Sequence, residues 1–135
     1  MASQLNAERD LLAAGREWRR LAEAEGEAIR TRNWELCSAC QNTLQLLRER
    51  MTALLPAVRA EWSRPGGDGA ARQQAFDDTL RRLIELEHRN QTLIESLREA
   101  ARTKIQQLNE AKIKLKQLRR SYGFAAHTPA RQSFS

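Results

Sequence analysis

The feature that most restricts this chain is an apolar series that advances by alternating steps of four and three residues. It runs through Phe76, Leu80, Leu83, Glu87, Asn90, Ile94, Leu97, Ala101, Lys104, Leu108, Ala111, Leu115, Leu118 and Tyr122, and eleven of these fourteen positions are apolar or aromatic. A mean spacing of 3.5 residues lines all of them along one seam of a helix, the pattern of coiled-coil packing. The series predicts a long helix from about Ala70 to Tyr122, with Gly123 where a helix commonly stops. Residues 124–135 carry Pro129 and no periodicity, and read as a flexible tail.

Two shorter helices are predicted ahead of it. In the second, from about Asn33 to Trp62, the positions Trp34, Cys37, Gln41, Leu44, Leu47, Met51, Leu54, Val58 and Trp62 follow at steps of three or four. Pro56 removes one backbone donor inside this pattern, so a bend or early fraying is expected near residues 52–56. In the first helix, from about Gln4 to Arg30, Leu11, Trp18, Leu21 and Ala28 form one stripe. Between the two, Arg30-Thr31-Arg32-Asn33 marks a break in which Asn33 is suited to cap the next helix. With no Gly or Pro there, the break reads as a kink and not a full turn. The stretch Ser63-Arg64-Pro65-Gly66-Gly67-Asp68-Gly69 is the clearest loop.

The expected fold class is therefore all-α, a long antiparallel helical hairpin or three-helix bundle with coiled-coil packing, in one domain over residues 1–123. Ala, Leu, Glu, Gln, Arg and Lys dominate, and all lose little rotamer freedom in a helix. By rise per residue the third helix is roughly 80 Å long and the first two about 40 and 45 Å. If the first helix folds back beside the second, the last ~35 Å of the third has no cover from its own chain. If it continues past the break, the two together match the third.

Charge is unevenly placed. Residues 104–135 hold seven Lys or Arg against one acid, Glu110, and account for the whole net charge of +6; the first 103 residues balance to zero. The high isoelectric point is a local property of the C-terminal end. No run approaches the ~18–20 apolar residues that span a bilayer, and MASQLNAERDLL lacks the basic start and apolar core of a signal peptide. Two cysteines alone fit a reducing, cytoplasmic setting.

Catalytic and cofactor chemistry finds little footing. Cys37 and Cys40 are spaced as C-x-x-C, but His88 and His127 are the only histidines that could complete a zinc site and no second C-x-x-C is present. Both cysteines read as small apolar packing residues. His88 sits among Glu85, Glu87 and Arg89 and reads as a solvated side chain, and the glycine loop lacks the Lys-Ser/Thr of a phosphate cradle. No enzyme activity, metal or cofactor is expected. Asn90 reads as a register-setting amide in the seam, or as a direct hydrogen-bonding contact to a partner.

The basic end is the strongest functional lead. Leu108, Leu115, Leu118 and Tyr122 form an apolar stripe flanked by Lys112, Lys114, Lys116, Arg119 and Arg120. Leu108, Lys112, Leu115, Lys116, Leu118, Arg119 and Tyr122 are the candidate partner-binding residues, suited to an amphipathic helix laid along them. An aliphatic stripe is not a base-stacking platform, which disfavours nucleic acid. Membrane-surface helices favour Trp or Phe on the apolar face, and none is present before Phe124. The alternative is a homodimeric coiled-coil adaptor that pairs through the same seam.

Two stretches carry a family resemblance. They are Ala28-Ile29-Arg30-Thr31-Arg32-Asn33-Trp34-Glu35-Leu36, followed by Gln41, Leu44 and Leu47, and the run from Leu83 through Asn90 to Ile94. With the terminal Tyr122-Gly123, they resemble the flagellar type III export chaperones of the FlgN/FliT class. The first is similar to that family's polar break, often written with Gly-Asp where this chain has Arg32-Asn33. The second is similar to its leucine- and asparagine-bearing run on the last long helix. The resemblance implies a small cytoplasmic helical chaperone. It further implies clients among the hook–filament junction or cap proteins, held through their terminal helices by the C-terminal helix here.

Overall fold

The computed structural model describes the backbone of residues 2–134 and the side chains of residues 6–123. Three helices make up the described chain: α1 (Ala2–Arg30), α2 (Trp34–Trp62) and α3 (Gly69–Phe134). No strand occurs among the described residues, so the all-α expectation holds. The chain divides into two compact units, Met1–Ile94 and Glu95–Ser135.

The first unit is a three-helix bundle. Helix α1 folds back antiparallel beside α2, which decides between the two paths the lengths allowed. The middle of α2 meets α1 where Asp10 faces Arg50 at 3.8 Å and where the Arg48 guanidinium lies 5.7 Å over the Trp18 ring. Helix α3 then returns antiparallel to α2. Trp62 packs on Phe76 with ring centroids 5.7 Å apart, and Arg48 bonds Glu87 at 2.9 Å. It runs parallel to α1, from Glu8–Arg72 at one end to Ala22–Asn90 towards the other.

The stripes read from the sequence are the faces that meet. Leu11, Trp18, Leu21 and Ala28 of α1 are all buried, as are Cys37, Cys40, Leu44, Met51, Val58 and Trp62 of α2. From α3 the seam positions Phe76, Leu83, Asn90 and Ile94 are buried, and Leu80 packs partly buried against the core. Leu11, Ile29, Leu44 and Val58 are the largest side chains enclosed completely. Each contributes ~1.5–3 kcal/mol relative to exposure, which the ordering of the three helices largely offsets. Trp34, which opens the α2 series, lies half exposed.

The α1–α2 connection is a full reversal and not a kink. The Arg32 amide donates to the Ile29 carbonyl at 3.1 Å and the Asn33 amide to that of Ala28 at 2.8 Å. This is the paired closure of a Schellman motif, with Arg32 in the left-handed region at φ 58°. Asn33 at once begins α2, its side-chain oxygen accepting the Leu36 amide at 3.2 Å. No Gly or Pro marks this reversal in the sequence; an arginine carries the strain of the left-handed position.

The loop between α2 and α3 turns on Gly66, at φ 87°. Gly69 begins α3 one residue ahead of the expected start, and a Cβ there would collide with the Trp62 carbonyl. Pro56 neither ends nor frays α2, which continues to Trp62. The helical backbone of α3 also passes through Gly123, the expected stop. A C-terminal glycine only permits the left-handed cap; it does not impose one. The flexible tail expected over 124–135 lies outside the residues whose side chains are described.

Candidate partner-binding surface

Inside the first unit the polar seam residues are occupied within the chain. Asn90 is 5% exposed, and its amide donates to the Ala22 carbonyl at 2.8 Å and to Glu25 Oε1 at 2.9 Å. Glu25, itself buried, thereby keeps a charge-assisted partner. Gly26 leaves the room that this amide needs, since a Cβ there would sit 2.8 Å from Asn90 Oδ1. Asn90 therefore fixes the register of α3 on α1, and its donor group is not available to another protein.

Glu87 lies a turn away. Its burial raises the carboxyl pKa above the ordinary value; the nearby Arg48 opposes the shift and Glu25 adds to it. Glu87 also borders an open hollow of ≈ 590 Å³ with Gln41, Gln45, Arg48 and His88. No nucleophile accompanies these groups. Cys37 and Cys40 are both buried, and Cys40 is pushed up from its usual pKa by burial and then by Glu25. A raised pKa keeps a thiol protonated and unreactive. Among the described residues no group of three or more His, Cys, Asp or Glu is placed to hold a metal. No helix there is long and apolar enough to cross a membrane.

The second unit has a different character. All seven candidate residues (Leu108, Lys112, Leu115, Lys116, Leu118, Arg119 and Tyr122) lie on α3 in this unit, and all are exposed. Leu108 is 60% and Tyr122 70% exposed, with Leu115 and Leu118 near half. They stand at helical spacing and so share one face. Two apolar residues were not among the candidates: Ile105, 59% exposed, and Ile113, 56% exposed. Neither falls in the four-three series. A wider helical projection, counting three positions per heptad, finds Ile105 at the edge of the stripe.

The charges around the stripe are unspent. Among the described residues Arg102 pairs with Glu99 at 3.6 Å, whereas Lys104, Lys112, Lys114, Lys116, Arg119 and Arg120 enter no salt bridge. An exposed aliphatic row between unpaired cations is incomplete as a solvent face. Covering it removes the apolar groups from water, while the long Lys and Arg stems extend the buried area. No family model matches the chain, and no characterised protein or solved structure shows significant similarity to it.

Proposed function

We propose that this protein is a type III export chaperone of the flagellar kind, which holds an amphipathic terminal helix of a client against α3. The observation that carries the reading is the row Leu108, Leu115, Leu118 and Tyr122, exposed on a helix whose neighbouring cations have no partner. A chaperone of this type needs an apolar strip to mask the client's own apolar face, and a polar rim to orient it. The resemblance of residues 28–47 and 83–94 to the FlgN/FliT class supplies the cellular setting. In that setting the clients are hook–filament junction or cap proteins and the compartment is the cytoplasm.

The test is co-expression with C-terminal helical fragments of flagellar junction and cap proteins, followed by titration calorimetry. One of these fragments binds the native chain. Leu115→Asp combined with Leu118→Asp lowers its affinity at least ~100-fold, because two carboxylates then lie in the apolar contact. Both positions are exposed, so the circular dichroism of the first unit stays unchanged. Undiminished binding by the double variant would sink the proposal.

A further inference from the structure

The cations of the second unit are not spread evenly around the stripe, and their placement defines what lies on it. With Phe76 as a d position, α3 places Ala101, Leu108, Leu115 and Tyr122 at a and Leu97, Lys104, Ala111 and Leu118 at d. The e flank then reads Arg98, Ile105, Lys112, Arg119; the g flank reads Ala100, Gln107, Lys114, Ser121. Three flanking cations thus line the e side of the seam against Lys114 alone on the g side, and a single lysine, Lys104, stands inside it.

A second copy of this chain fits that surface poorly. Parallel pairing in register sets Lys104 against Lys104 in the seam and Lys114 against Arg119 across it. Antiparallel pairing lays one cationic e flank on the other. Like charges across a helical contact are unfavourable, and an ammonium in the seam needs a counter-charge. A phosphate surface would satisfy the cations but leave Leu108, Leu115, Leu118 and Tyr122 without cover.

We infer that the occupant is an acidic amphipathic helix of another protein, with carboxylates along one flank only and one carboxylate in its seam opposite Lys104. The inference rests on reading this face as the partner-binding surface. The acidic flank meets Arg98, Lys112 and Arg119, the seam carboxylate pairs with Lys104, and the apolar positions cover the leucines. The one-sided charge also sets the direction in which the partner helix lies.

The test uses the full chain and three synthetic helices of about four heptads, all with leucine in the remaining seam positions. The first carries Glu on one flank and one Glu in the seam, the second Gln at those places, the third Lys. The Glu helix binds about tenfold tighter than the Gln helix, and the margin shrinks with added salt. The Lys helix binds least. Lys104→Glu reverses the preference at the seam position alone, so that a peptide with Lys at that one position becomes the tighter ligand. Equal binding of the Glu and Gln helices overturns the charge assignment while leaving the face a binding surface. Failure of all three helices to bind overturns the underlying reading as well. The inference is also overturned by a concentration-dependent dimer in sedimentation equilibrium that Leu115→Asp abolishes. Tighter binding to phosphatidylserine vesicles or duplex DNA than to the Glu helix has the same consequence.

Discussion

Arg32 holds a backbone conformation, φ 58°, that costs a residue with a Cβ about 1–2 kcal/mol. It is tolerated because the Ala28 and Ile29 carbonyls and the Asn33 cap all close around it. Arg32→Gly removes the clash at the expense of a freer unfolded chain. The expected outcome is a gain of up to ~1 kcal/mol in urea unfolding, with an unchanged slope. Arg32→Val, with a branched Cβ, loses stability in the same measurement. Glu87 supplies a second test, in pH. Its folded pKa is raised, so the fold favours the protonated acid. That contribution is complete below the ordinary value of about 4.3 and is lost as pH rises through the raised one. Glu87→Gln is always neutral, so its stability relative to the native chain improves as pH climbs through this interval. A stability difference that stayed flat from acid to neutral pH would contradict the assignment. The Arg32 conformation was not legible beforehand, because an arginine carries no signal for a left-handed turn. The role of Asn90 was half legible: a seam amide signals register, but its partners on α1 lie 65 and 68 residues away in sequence.

At the scale of elements, the junctions decide the bundle more than the helices do. Helical periodicity predicts where each helix lies and which face it buries, and Leu11, Leu44, Phe76 and Leu83 are buried as their spacing requires. Periodicity does not say whether a break is a kink or a reversal, since both interrupt the stripe alike. The α2–α3 junction shows how narrow the requirement is. Gly67 has open space around a would-be Cβ, whereas Gly69 presses against the Trp62 carbonyl. Gly69→Ala is expected to cost at least ~2 kcal/mol, with Gly67→Ala close to neutral, in paired thermal melts. Equal effects at the two glycines would mean that the loop relaxes freely around the close approach. Trp62 and Phe76 pack tilted against each other just either side of this turn, so a shift there also loosens the end of the core.

At the scale of the whole molecule, the two units differ in what protects them. The first has a core in which Leu11, Ile29, Leu44 and Val58 are fully enclosed. In the second the apolar side chains of α3 at Ile105, Leu108, Ile113, Leu115 and Leu118 remain about half exposed or more. A helix without burial depends on the helix–coil equilibrium, whose opening is cheap. Amide hydrogen exchange is therefore expected to be at least ~100-fold faster at Leu108, Leu115 and Leu118 than at Leu44, Met51 and Leu83. A bound acidic helix slows the first group and leaves the second unchanged. Uniform protection along α3 would show that the second unit draws on a source of stability other than its own helix.

The sequence by itself determined that this chain is helical, where the three apolar stripes run, and that its net positive charge gathers near the C-terminal end. These are local properties, set by rotamer freedom, 3.6-residue periodicity and the order of charged residues along one helix. Tertiary structure alone decided that α1 turns back on α2, that Asn90 is spent on Ala22 and Glu25, and that the stripe is buried or partly buried up to Leu97 and exposed beyond it. The physical reason is common to all three. An apolar seam has the same spacing whether or not something covers it, and cover is a matter of contacts between residues far apart in the chain.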